Sequence, residues 1–315
     1  MYHKLKGVGM CFNSHVRYCF KKVILFFLVF LFFCSCSKSQ SKRDKYFSSI
    51  QIKGSDTVVN LIQELSEEFS KRYPLFNIGI TGGGSGTGFV SLINKTCDIA
   101  MSSRKIEEKE SALAKSKNIE LDEFKIGLDG IVVIVNKNNS VDKLTLEQLR
   151  DIFTARITNW KEVGGEDRKV VVLSRESNSG THIFFKERVL GRDDGVTENE
   201  FAVQSLIMPS SQAIYNEVFQ NPNALGYVGI GFQNDGVKAI SIAVSANSGE
   251  YICPTLENVM NCTYPISRPL YLYTNRNPHK VVKMFVDYVL SESGQKIVLK
   301  TSFVPIKMAK QRIKN

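Results

Sequence analysis

Eight consecutive residues, Thr81-Gly82-Gly83-Gly84-Ser85-Gly86-Thr87-Gly88, carry the groups needed to hold an anion. Five are glycine and the other three bear hydroxyls. Glycine allows positive φ and lets a ligand approach the main chain closely. The helical pattern that follows (Phe89, Leu92, Ile93) would present unpaired N–H groups and the positive end of its dipole to the loop, with Ser85 and Thr87 as added donors. A nucleotide-binding P-loop would need lysine directly after such a run, but Phe89 follows Gly88. A serine-nucleophile elbow would need glycine where Thr87 stands. A plain glycine turn is the simpler alternative.

The same unit, a short apolar strand ending in hydroxyls at a helix start, recurs three times. Ile50-Gln51-Ile52-Lys53 alternates like a strand and stops at Gly54-Ser55-Asp56-Thr57. Val58, Leu61, Ile62, Leu65 and Phe69 then lie on one helical face, which Ser55, Asp56 or Thr57 would cap. Cys97-Asp98-Ile99-Ala100-Met101 leads to Ser102-Ser103-Arg104 and to a helix start rich in Glu107, Glu108 and Glu110. Capping by the serines and pairing of Arg104 with the glutamates would also account for that segment. Val170-Val171-Val172-Leu173 delivers Ser174-Arg175-Glu176-Ser177-Asn178-Ser179-Gly180-Thr181 ahead of Ile183-Phe184-Phe185. Guanidinium is the fork-shaped donor that suits a tetrahedral oxyanion. Asp129 stands at the mouth of Ile131-Val132-Val133-Ile134-Val135, which reads as a fully buried strand. A carboxylate there needs a partner or a ligand, unless it only supports the turn at Gly130. One hydroxyl-rich helix start is ordinary. Four, with two arginines and an aspartate, point to an oxyanion site.

The remaining elements carry less chemistry. Residues 144–160 read as a helix and turn ending at Asn159-Trp160, and Ser210-Ser211 opens another helix. Asn221-Pro222-Asn223 is a turn before a glycine-spaced strand over 225–232. Residues 266–273 read as extended, 281–290 as an amphipathic helix, and 295–309 as an irregular apolar tail.

The 315 residues suffice for one large domain or two ordinary ones, with 43% hydrophobic residues for the core. Half of the net charge of +10 comes from Lys4, Lys6, Arg17, Lys21 and Lys22. The rest is spread without the basic stripe of a nucleic-acid binder. The apolar run over 23–33, behind Lys21-Lys22, is shorter than the ~20 residues of a membrane span and has the proportions of a signal-peptide core. Cys34-Ser35-Cys36 follows and resembles a bacterial lipobox, in which Cys36 fits better because small Ser35 precedes it. Residues 1–35 are thus expected to be the leader, Cys36 the lipid (palmitate) attachment point, and 36–47 a polar tether. Cleavage at Cys34, a start at Met10 and an uncleaved anchor are the alternatives. Beyond Cys36 only Cys97, Cys253 and Cys262 remain. Cys253 and Cys262 are the expected disulfide pair in an oxidising compartment, and Cys97 a core residue. His3, His15, His182 and His279 form no cluster, so no metal site is expected.

In order along the chain, 54–58, 82–88, 98–104, 129–131, 144–160, 175–181 and 221–232 resemble the motifs of the periplasmic phosphate-binding proteins of Pst-type ABC importers, in their compact lipoprotein form. The resemblance covers about residues 48–310. It implies an α/β chain with the type II periplasmic binding protein fold: two lobes joined by two extended crossovers, the ligand between them. Lobe one would comprise 48–130 and 270–312, lobe two 137–265, and the crossovers 131–136 and 266–274. The family site carried across gives Ser55, Asp56, Thr57, Ser85, Ser103, Arg104, Asp129, Arg175, Ser179, Gly180 and Thr181. Some members have an aspartate where Ser103 stands, so Asp129 would supply the carboxylate. The resemblance also implies a monomer that needs no cofactor, is not an enzyme and does not bind nucleic acid. It would bind inorganic phosphate and an inner-membrane ABC permease, and be tethered by lipid on the periplasmic side. The competing readings are the same fold holding sulfate or molybdate, and a secreted phosphate-ester hydrolase. For the latter, His182 lacks an evident acid partner.

Overall fold

Alternation in the first strand sets the pattern of the fold. Ile50 and Ile52 are fully buried on one face of β1 (Ser48–Gly54), while Ser49 and Gln51 are exposed on the other. The computed structural model describes residues 48–191 and 199–306. The expected leader, tether and Cys36 lie outside the described residues, as does the end of the expected lobe one beyond 306.

After β1, the 3-10 turn Asp56–Val58 enters α1 (Val59–Arg72), which buries Leu61, Ile62, Leu65 and Phe69. β2 (Phe76–Thr81) leads through the glycine loop to α2 (Ser85–Ile93), and β3 (Ile99–Ser102) leads to α3 (Glu108–Ser116). β4 (Leu121–Asn136) is the long strand of the molecule, about 50 Å at the usual rise per residue. Then come β5 (Lys143–Thr145), α4 (Leu146–Phe153), β6 (Val171–Arg175), α5 (Gly180–Phe185) and β7 (Leu206–Met208). They are followed by α6 (Ser211–Gln220), β8 (Ala224–Gly229), β9 (Val237–Ala239), β10 (Ser241–Ala243) and α7 (Leu256–Met260). The described chain closes with β11 (Ser267–Asn275), α8 (Lys280–Leu290), α9 (Glu292–Lys300) and β12 (Val304–Pro305).

The main sheet is mixed and ordered β2-β1-β3-β11-β4-β8-β6-β7, with β9 and β12 also on β4; β5 and β10 form a separate parallel pair. β1 with β3 and β6 with β8 are parallel pairs, and helices follow the C-terminal ends of β1, β2, β3 and β6. This topology sends those four loops toward one region. β4 changes partner part-way. Residues 121–130 pair with β11 and 131–135 with β8, and at the handover Asp129 stands directly opposite Arg268. Ile131, Val132, Val133, Ile134 and Val135 are all fully buried, as a strand covered on both faces requires.

Two expectations are corrected here. The end of the described chain is not an irregular tail, because residues 292–300 form α9. Ser291 caps it by accepting the Gly294 N–H, and Gly294 lets the new helix pack against the Tyr288 and Val289 carbonyls. Cys253 and Cys262 do not pair; both are free and exposed. Five of the eight residues between them form α7, and each thiol has its own neighbour, Ser241 Oγ for Cys253 and the Met260 carbonyl for Cys262. Cys97 lies just before β3, buried, and burial pushes its thiol up to about 12.

Candidate functional site

Four hydroxyls from the first three loops meet one from α5. Ser55 Oγ donates to Ser103 Oγ at 2.9 Å, and Ser103 N–H donates to Ser85 Oγ at 3.2 Å. Thr57 Oγ1 lies 2.8 Å from Thr181 Oγ1. All five side chains are buried. Gly180, the first residue of α5, packs directly on this group. A Cβ there would lie 2.7 Å from Ser103 Oγ and closer still to Ser85 Oγ. Ser55, Thr57, Ser85, Ser103, Gly180 and Thr181 thus lie together in one cluster.

Beside the hydroxyls lies an ion pair with no exposed surface. Asp129 Oδ2 accepts from Arg268 Nε at 2.9 Å and lies 2.8 Å from Arg268 Nη2, while Asp129 Oδ1 accepts the Ile230 N–H at 3.0 Å. Arg268 Nη2 also donates to Thr181 Oγ1 at 3.0 Å and to Thr57 Oγ1 at 3.3 Å, and its guanidinium stands 5.9 Å from the centre of the Phe184 ring. Arg268 Nη1 is buried with no hydrogen-bond partner among the described residues. Gly229 makes room for the pair, since a Cβ there would press on Thr57 Cγ2 and both Asp129 oxygens. Burial pushes the Asp129 carboxyl above its ordinary range, opposed by Arg268 and then by the Ile230 N–H. Burial likewise lowers Arg268, opposed by Asp129. A guanidinium keeps its proton in proteins, so the carboxylate is the ionised partner of a charge-assisted pair.

Arg268 was not among the residues singled out from the sequence. Its signal was faint: a lone cation before Pro269 in an apolar extended segment, and a buried Asp129 in need of a counter-charge. Only the β4–β11 register joins the two.

The other expected charged residues are engaged elsewhere. Arg175 directs four of its five N–H groups to protein. It pairs with Asp56 Oδ2 at 2.7 Å and donates to the Met208 and Pro209 carbonyls and to Ser211 Oγ. Asp56 caps no helix; its other oxygen accepts the Gly83 N–H at 3.0 Å. The reason is position: Arg175 ends β6 facing Asp56, so the two neutralise each other across the loops. Arg104 is turned away from the hydroxyls. It makes a two-pronged pair with Glu110, both contacts at 2.8 Å, reaches Glu107 at 3.0 Å, and stacks over Phe89. Ser179 caps α5, accepting the His182 N–H at 3.4 Å.

His182 follows Thr181 and contacts Ser174 Oγ through Nδ1 at 3.3 Å, with its ring stacked 4.5 Å from Phe201. Burial, then nearby Lys186, hold its pKa below the ordinary 6.5. The unfolded chain therefore takes up this proton first as pH falls. Stability present above about pH 6.5 is expected to decline as pH drops toward the folded pKa. Urea midpoints measured across that range should show the decline in the wild type and a flatter profile in His182→Gln; equal slopes would remove His182 as the cause.

Among the described residues no group of three or more His, Cys, Asp or Glu is placed to hold a metal, and no helix is long and apolar enough to cross a membrane.

The profile of the PBP superfamily domain matches residues 38–293. The phosphate-binding protein PstS of Pseudomonas aeruginosa is 31% identical over 280 residues, 83% of this chain and 84% of that protein. A Clostridium perfringens crystal structure, described as a phosphate ABC transporter substrate-binding protein with bound phosphate, shares 35% identity and a TM-score of 0.74, covering 82% of this chain and all of that one. An ABC-type phosphate transport receptor from Vibrio cholerae shares 32% identity and a TM-score of 0.64, again over 82% of this chain and all of that one. The α/β architecture with its mixed sheet is the periplasmic binding protein fold, and the chain belongs to the PstS family of phosphate-binding proteins within the PBP superfamily.

Proposed function

We propose that the protein captures inorganic phosphate outside the cytoplasm and delivers it to the permease of an ABC importer. The observation that carries this reading is the wholly buried Asp129–Arg268 pair set among the hydroxyls of Ser55, Thr57, Ser85, Ser103 and Thr181. Hydroxyls, the start of α5 at Gly180 and the Arg268 guanidinium supply donors for a tetrahedral anion. The anion would replace the present hydroxyl–hydroxyl bonds, and Arg268 rather than Arg175 would be its main cation. Asp129 Oδ1 accepts one hydrogen bond from protein and keeps a lone pair for another.

That lone pair gives selectivity. Phosphate at neutral pH still carries an O–H, its relevant pKa being near ~6, and can donate to the carboxylate. Sulfate has no such proton and would set a bare oxygen against a buried negative charge, at a cost of several kcal/mol. The elements on either side of β4 and β11 would act as the two lobes, 48–130 with 270–312 and 137–265, joined by crossovers at 131–136 and 266–274. Their closure would report occupancy to the permease. The reading includes lipid attachment at Cys36, a monomer, and neither cofactor nor catalysis.

The test is calorimetric titration of the purified, phosphate-stripped protein with phosphate and then sulfate at neutral pH. Tight one-to-one phosphate binding with no sulfate heat is expected. Binding of sulfate or molybdate with phosphate silent would overturn the assignment. In the same titration, Asp129→Asn is expected to raise sulfate affinity relative to phosphate by about tenfold or more. Unchanged selectivity would remove Asp129 as the gatekeeper.

A further inference from the structure

The glycine loop after β2 has the composition of an anion cradle, but its glycines make room for protein. Gly82, Gly84 and Gly86 each face a specific group. A Cβ on Gly82 would strike Asp56 Oδ1, one on Gly84 would lie 2.9 Å from the Asn178 carbonyl oxygen, and one on Gly86 would lie 3.3 Å from that same oxygen. Gly83 and Gly84 have φ of 122° and 90°, which turn the loop to fit. Asn178, from the segment between β6 and α5, fills the seat. Its Nδ2 donates to the Gly83 carbonyl and to Thr87 Oγ1, both at 3.1 Å, and its own carbonyl accepts the Gly86 N–H at 3.0 Å. Asp56, held by Arg175, receives the Gly83 N–H from the other side.

We infer that the glycine loop is the seat of a latch, with Asn178 as the tongue and the Asp56–Arg175 pair as its second clasp, that keeps the two halves closed over the anion. This inference rests on the phosphate-capture reading. Asn178 is a positioning residue: it touches none of the clustered hydroxyls, yet it sits two residues before Gly180, which does. The loop and Asn178 come from opposite sides of the β11–β4 pair, so their bonds must break whenever the halves part. A contact made only after closure slows release and leaves capture alone.

The experiment is phosphate association and dissociation by rapid mixing on wild type, Asn178→Ala and the milder Thr87→Val, together with hydrogen exchange of the 82–88 segment. Asn178→Ala removes two hydrogen bonds and is expected to speed release about tenfold while association stays within about twofold. Thr87→Val removes one acceptor on an exposed helix face and is expected to speed release a few-fold. Exchange at 82–88 should rise in Asn178→Ala. Unchanged release rates in folded variants, or an affinity loss carried by slower association, would overturn the latch. If the wild type bound no phosphate, the functional reading would fail by itself. The exchange comparison would still decide the latch, since unaltered protection at 82–88 in Asn178→Ala would refute it.

Discussion

Arg268→Met is expected to lose at least 100-fold in phosphate affinity and about 3–5 kcal/mol of stability. The substitution leaves the Asp129 carboxyl with no exposed surface and no counter-charge, so it must either stay ionised at a large cost or take up a proton. It also strips Thr57 and Thr181 of the donor that ties them to the carboxylate. Because such a variant could fail to fold, the decisive measurement adds Asp129→Asn in the same chain. Replacing both members of a buried pair with neutral groups is far less destabilising than removing one, so the double variant should recover most of the stability but not the affinity. Calorimetric phosphate titration and urea unfolding on the three proteins separate the two roles. Near wild-type affinity in the double variant would show that Arg268 only neutralises Asp129 and does not hold the ligand.

The second large effect is expected from a single methyl group. Gly180→Ala should abolish measurable phosphate binding, a loss of 100-fold or more, while the unfolding midpoint stays constant or rises. Gly180 is the first residue of α5 and is not among the positive-φ glycines, so alanine is compatible with the backbone there and favours the helix by up to about 1 kcal/mol. The added Cβ would intrude on Ser85 Oγ and Ser103 Oγ, which belong to loops on the other side of β11 and β4. Helix stability and closure are thereby pulled in opposite directions, a combination that simple destabilisation does not produce. Retained affinity would mean that α5 and the glycine loop are not pressed together around the ligand.

Much of this molecule follows from local pattern. Alternation at Ile50 and Ile52, helical spacing from Leu61 to Phe69, and the continuous apolar run over 131–135 set strands and helices by periodicity alone, and each is buried as the pattern requires. The hydroxyl-rich helix starts were legible too, because four of them in one chain, with two arginines and an aspartate, exceed what capping alone requires. The α9 helix was not legible: Ser-Gly-Gln-Lys gives a weak apolar period, and packing of Gly294 on the end of α8 decides the outcome. Nor could cysteine count settle the fate of Cys253 and Cys262, since an intervening helix holds each thiol against its own neighbour.

What the chain determined by itself was the inventory: an α/β fold and a set of donors suited to an oxyanion. What only the tertiary structure decided was which charges neutralise one another. Arg104 goes to Glu110, Arg175 to Asp56 and Arg268 to Asp129, partners 6, 119 and 139 residues apart. The last of these follows from a strand register in which Asp129 faces Arg268. Register is set by the packing of whole strands, and a guanidinium has the same donors wherever it sits. Its role is therefore fixed by the carboxylate that the fold places beside it.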